Sequence, residues 1–252
     1  MVIDQDPLAQ FEIKKIADWS IGGVDVSFTN TSLMMVFVVG MLMIFLMLGM
    51  RGGSLVPTRW QSLSEISYEF VANLLKDNVG REGKPYFPFL FTLFTFILGL
   101  NLAGLLPYAF TTTSHIIVTF TLAATVFVGV TIIGFIKNGF GFLKLFVPGG
   151  TPWWLLWLVI PIELVSYAMR PISLSVRLFA NMLAGHLMMK IFAGFVISLT
   201  VAFGFVGGVM ALLPFAFNIF MTGLEMLVAF LQAYVFAILT CIYLNDAMHP
   251  SH

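Results

Sequence analysis

Residues 171–204 read PISLSVRLFANMLAGHLMMKIFAGFVISLTVAFG, and no turn dipeptide or charge cluster breaks them. About 33 residues at 1.5 Å each make a helix of ~50 Å, against ~30 Å of hydrocarbon in a bilayer. Residues 209–245 are over-long in the same way, with Pro214 able to kink them only near their start. Helices of this length must lie strongly tilted, bent or partly horizontal. Gly204, Gly207 and Gly208 between them read as a glycine-rich turn, so the pair is expected to run antiparallel.

Composition gives the solvent. Of 252 residues, 60% are hydrophobic and 10% charged, against about 25% charged in soluble proteins. The net charge of zero offers nothing to nucleic acid, and the lone Cys241, read as a small buried hydrophobe, excludes an internal disulfide. Working outward from the long pair, residues 33–50 carry no charge over 18 positions, and residues 87–106 and 116–136 are further apolar runs. The expected fold is an all-α integral membrane protein with about five spanning helices, near 33–50, 87–106, 116–136, 160–203 and 209–245. The last two are long and strongly tilted.

Between the first two spans, residues 58–79 form an amphipathic helix, capped by Thr58 with Gln61. Trp60, Leu63, Phe70 and Leu74 fall at helical spacing. This helix lies on the membrane surface or packs on the core as a linker. Arg51, Gly52 and Gly53 end the first span, and Pro107 ends the second. Pro148, Gly149 and Gly150 make a turn ahead of Trp153, Trp154 and Trp157, an aromatic belt at headgroup level. Residues 1–32 begin acidic, carry no signal-peptide pattern, and read as a soluble outer tail or surface helix. Residues 33–249 form one membrane domain.

Arg51, Arg59, Lys76, Arg81, Lys84, Lys137 and Lys144 fall in connections that an alternating count puts on one side. Residues 107–115 and 200–208 contain no Lys or Arg. The positive-inside rule then puts the N-terminus outside and the C-terminus in the cytoplasm.

The polar residues of the long helices carry the chemistry. A mid-membrane Arg177 costs roughly 2.5–3.5 kcal/mol on insertion scales and cannot lose its proton. Glu163, Arg170, Ser173, Arg177 and Asn181 fall on one helical stripe, because seven residues are two turns less ~20°. His186 points to the opposite face. In an antiparallel pair, Glu225 meets His186 and Gln232 meets Arg177. His and Glu exchange protons when coupled, whereas Arg177 can only be an electrostatic barrier between two proton paths. The blander readings are a structural His–Glu pair, an Arg177 neutralised by a buried acid, Arg170 and Lys190 as snorkelling or interface charges, and a solvated His115.

SVRLFANMLAGH at 175–186, LQAYVFAILTCIYL at 231–244 and NLAGLLPYAFTTTS at 101–114 closely resemble subunit a of the membrane sector of F-type ATP synthases. The resemblance runs from about Leu33 to Ala247. It implies a stator subunit, not an enzyme by itself, that works with a ring of c subunits, b-type peripheral stalk subunits and the rest of the synthase. The expected home is the inner membrane of a bacterium, with no cofactor or metal.

The resemblance makes Arg177 the essential arginine facing the ring, Asn181 and Gln232 its polar partners, and Glu163 the inner-channel acid. Ser173 and Asn101 complete the proton-translocation set with His186 and Glu225. Many bacterial members carry Glu where His186 stands and His where Glu225 stands. The exchange here matches the mitochondrial and alphaproteobacterial branch. Gly104 stands where some members have Asp. Ala180, Ala184 and Gly185 would let the ring approach closely. The rival reading is an ion-coupled secondary transporter whose Arg177 binds an anionic substrate, against which no internal repeat is evident.

Overall fold

A computed structural model describes residues 12–18, 20–21, 24–25, 27–50, 57–106, 109–147 and 152–248. Arg51, Gly52, Gly53, Pro107 and the Pro148–Gly150 turn, all expected to end or join segments, lie outside them.

The described part of the N-terminal region is extended rather than helical. Strand β1 (Lys15–Ala17) pairs antiparallel with β4 (Phe28–Thr29), and β2 (Ser20–Ile21) pairs with β3 (Val24–Asp25). The other described elements are helical: α1 (Asn30–Met50), α2 (Arg59–Val79), α3 (Phe87–Gly104), α4 (Ile116–Asn138), short 3-10 turns, and a helical stretch Leu156–Met248. The only non-helical backbone inside that last stretch is Gly204, with φ 54° and ψ −126°. This is a left-handed region that only glycine enters at no steric cost. The residues before Gly204 are α5 and those after it α6.

The break is therefore one residue, not a glycine-rich loop. Gly207 is helical, and serves instead by lacking a side chain: a β-carbon there would run into the Leu199 carbonyl. The chain is an all-α membrane protein. Four described stretches are long and apolar enough to cross a bilayer, namely Asn30–Met50, Arg59–Gly104, Ile116–Leu143 and Trp153–Met248, the last holding both α5 and α6.

The chain divides into two compact units, one of residues 1–40, 98–115 and 178–232, the other of residues 41–97, 116–177 and 233–252. In the first, α5 and α6 run antiparallel. Partners ascend on one helix as they descend on the other: Asn181 with Gln232, His186 with Glu225, Met189 with Thr222, and Phe192 with Phe217, whose rings stand 4.3 Å apart. Asn101 on α3 is fully buried and donates from Nδ2 to the Ala229 carbonyl of α6 at 3.3 Å.

In the second unit, Thr58 caps α2 by accepting from the Gln61 N–H, while the Gln61 amide reaches forward to Glu65 at 2.8 Å. The apolar stripe of α2 divides along its length. Val71, Leu74, Leu75 and Val79 are buried, whereas Trp60, Leu63 and Ile66 are exposed. Phe70 packs on Phe94 and on Tyr234 of α6. Close packing near the end of α6 depends on Gly134, where a β-carbon would press on the Phe142 ring. Asn138 of α4 donates to the Ala247 carbonyl at 2.6 Å. Trp153, Trp154 and Trp157 are exposed.

Candidate functional site

Helical spacing on α5 divides the polar residues by exposure. Ser173 and Arg177 in one unit, and Ala180, Asn181 and Ala184 in the other, are exposed, while Leu174, Leu178, Met182 and His186 are buried. Arg177 has no hydrogen bond or ion pair among the described residues. A guanidinium on an apolar helix keeps its charge at all accessible pH values. Ser173 donates its hydroxyl to the Arg170 carbonyl at 3.0 Å, and Glu163 is half-buried on the first turns of α5.

Arg170, read as a snorkelling or interface charge, has partners within the chain. Its guanidinium makes an ion pair with Asp246 of α6 at 3.1 Å and sits over the rings of Tyr167 (5.2 Å) and Tyr243 (4.8 Å). Two aromatic faces and a carboxylate compensate the cation on three sides.

Gln232 is 3% exposed and accepts a hydrogen bond at Oε1 from Asn181 Nδ2 at 3.0 Å. Counting residues from the turn did not name this Asn181–Gln232 bond. It succeeds for the other pair. His186 Nε2 lies 3.5 Å from Glu225 Oε1, with the two residues 9% and 3% exposed. That separation exceeds the usual 2.7–3.2 Å of a hydrogen bond.

The same ring nitrogen lies 3.1 Å from Thr111 Oγ1. Thr111 was not among the expected site residues. Its signal was the polar run TTTS in an otherwise apolar hairpin. His115, expected in solvent, is half-buried and stacked on Phe110 at 5.1 Å. Loss of hydration pushes its pKa below the ordinary value of 6.5.

Two cavities meet at the His–Glu pair, both within the first unit. The larger, about 880 Å³, is lined by Glu12, Lys14, Gly104, Thr111, His186 and Lys190 among others. Lys190, expected as an interface charge, thus faces this cavity, and so does Gly104. The smaller, about 290 Å³, is lined by Asn181, Ala184, Gly185 and Glu225 among others. His186 faces the first and Glu225 the second, so a proton handed between them would pass from one cavity to the other. Asn101 lines neither.

Comparison with known proteins follows the same lines. The family described as ATP synthase A chain matches residues 32–245. "ATP synthase subunit a" of Chelativorans sp. is 60% identical over 247 residues, covering 98% of this chain and 99% of the relative. The proteins of the same description from Mesorhizobium japonicum (58%, covering 98% of each chain) and Pelagibacter ubique (57%, covering 98% of this chain and 99% of the relative) are similar throughout.

Proposed function

The chain belongs to the ATP synthase A chain family, and from that premise we propose that its two cavities and its exposed arginine form a proton path working against a ring of c subunits. The chain is a stator subunit of the membrane sector of ATP synthase, part of that enzyme and not a catalyst alone. It is a multi-pass protein of the bacterial inner membrane. The secondary-transporter alternative falls with the family assignment.

The observation that carries the reading is the position of the His186–Glu225 pair, with one member on each cavity. In the proposed cycle, protons enter the larger cavity from outside and reach His186, whose Nε2 hands a proton across to Glu225. Glu225 passes it, through the cavity shared with Asn181 and Ala184, to a carboxylate on the ring. After rotation the ring carboxylate meets Arg177. A bare carboxylate in lipid is expensive, so it stays protonated until the fixed positive charge lowers its pKa. The released proton leaves along the side marked by Glu163 and Ser173.

Arg177 cannot carry a proton, so it separates the two paths instead of joining them. Each charge moved through 100 mV contributes about 2.3 kcal/mol toward rotation. Gln232 and Asn181, bonded to each other, would hold polar groups one turn from Arg177 without adding charge. Asn101 acts by fixing α3 to α6. Five spans, an N-terminus outside, a cytoplasmic C-terminus, and b-type stalk subunits against the remaining surface complete the proposal. The Lys/Arg asymmetry of the connections supports the orientation.

The test is Arg177→Ala in the assembled synthase within inverted membrane vesicles. Proton-driven ATP synthesis should be lost while passive proton leak through the membrane sector rises. Robust synthesis in this variant would sink the barrier role.

A further inference from the structure

We propose that the segment Glu12–Lys14, held in place by Asn30, forms a wall of the larger cavity and that Glu12 sets the charge met by a proton on entering it. This rests on reading that cavity as the outer proton path.

Asn30, the first residue of α1, clasps the segment with three hydrogen bonds. Its backbone N–H donates to the Lys14 carbonyl at 3.1 Å, its Oδ1 accepts from the Lys14 N–H at 3.3 Å, and its Nδ2 donates to the Glu12 carbonyl at 3.2 Å. Both ends of one side-chain amide are therefore bonded to the segment that leads into β1. The β1–β4 pairing, with Lys15 opposite Thr29, continues the attachment just beyond. A segment tied at successive residues is a fixed wall, unlike an exposed tail held at one point.

This wall faces charge. Among the described residues, the ionisable groups lining the cavity are Glu12 and Lys14 on the segment and His186 and Lys190 on α5. The next charges along the segment, Lys15 and Asp18, lie 3.9 Å apart and offset each other. Glu12 adds a carboxylate to the ammonium groups of Lys14 and Lys190 in the described lining, and a more positive mouth lowers the local concentration of any incoming cation. Glu12 offsets one of them. Asn30 is the positioning residue, acting on the path through the strand it holds.

The experiment uses the whole synthase in right-side-out membranes, with Ala193→Cys as a reporter inside the cavity. Ala193 lines it, and the native Cys241 is fully buried and gives little background. Two thiol reagents of similar size, one bearing a sulfonate and one a trimethylammonium group, are added outside. Glu12→Gln should raise the ratio of anionic to cationic labelling rates by at least about twofold. Asn30→Ala should raise both rates and remove the effect of Glu12→Gln when the two are combined.

An unchanged ratio in Glu12→Gln, with the reporter labelled from outside, overturns the inference and leaves the outer-path reading intact. A reporter that never labels, or labels only from the cytoplasm, overturns both. Glu12 is exposed, so its replacement leaves the decision intact even where Asn30→Ala fails to assemble.

Discussion

Gly185 and Glu225 share one space: a β-carbon on residue 185 would lie 2.6 Å from Glu225 Oε1. The glycine is what lets the carboxyl reach across from α6 to the residue beside His186. A side chain of the same protein thus fills the space that a β-carbon on residue 185 would take. Ala180 and Ala184 remain exposed.

Gly185→Ala separates helix stability from function. Alanine favours the helix by up to about 1 kcal/mol over glycine, yet its methyl group must push the carboxyl away at a cost of about 1–3 kcal/mol. The variant should assemble at normal levels and lose proton-driven ATP synthesis by about tenfold, as measured in membrane vesicles. Full activity would show that Glu225 is not needed where it sits.

The Arg170–Asp246 pair should matter for stability, because both side chains are only about a quarter exposed, at 25% and 24%. Asp246→Asn keeps the volume and removes the charge, leaving the guanidinium with two rings alone. We expect a loss of about 1–2 kcal/mol and a fall of about 2–8 °C in the unfolding midpoint in detergent. Arg170→Gln combined with Asp246→Asn should cost less than the sum of the single changes. Additive losses would show that the two do not interact.

His115 gives a pH dependence with a definite sign. Its folded pKa is lowered below 6.5 by burial, so the folded state binds fewer protons than the unfolded state below that pH. The stability contributed by neutral His115 is present above about pH 6.5 and is lost as pH falls through 6.5 toward the folded pKa. Thermal midpoints measured from pH 7.5 to 5.5 should fall less steeply in His115→Gln than in the parent. Equal slopes would place His115 in solvent.

The two long helices and their antiparallel pairing were legible because length and hydropathy are read directly from the chain. The His186–Glu225 contact followed from equal distances to the turn. The Asn181–Gln232 bond was not named, because a count from a loop near 205 fixes the register of the two helices no better than about a turn. Thr111 was not legible because a contact across 75 residues leaves no periodic trace. The same holds for Asp246 against Arg170. The Asn30 clasp escaped notice because paired strands of two or three residues fall below any alternation signal. Trp60, Leu63 and Ile66 stay exposed although the α2 pattern is amphipathic, because periodicity marks an apolar face without saying what covers it.

The last prediction exchanges the members of the central pair. His186→Glu alone sets two carboxyls side by side where the cavities approach each other, and repulsion between like charges should slow proton delivery. Glu225→His alone places two imidazoles there and removes the negative charge that draws protons inward. Each single change should lower proton-driven synthesis by about tenfold or more, within the range that a positioned acid or base contributes. The double exchange restores one acid and one imidazole at the same separation, with the imidazole now on the smaller cavity. Because His186 and Glu225 face each other at 3.5 Å, the double variant should recover part of the rate that either single change loses. The measurement is ATP synthesis driven by an imposed pH gradient, normalised to assembled complex. Thr111 Oγ1 contacts the ring nitrogen of His186 and would face a carboxylate after the exchange, so recovery should be partial, not complete. A double variant no faster than the slower single one would show that His186 and Glu225 do not pass protons to each other.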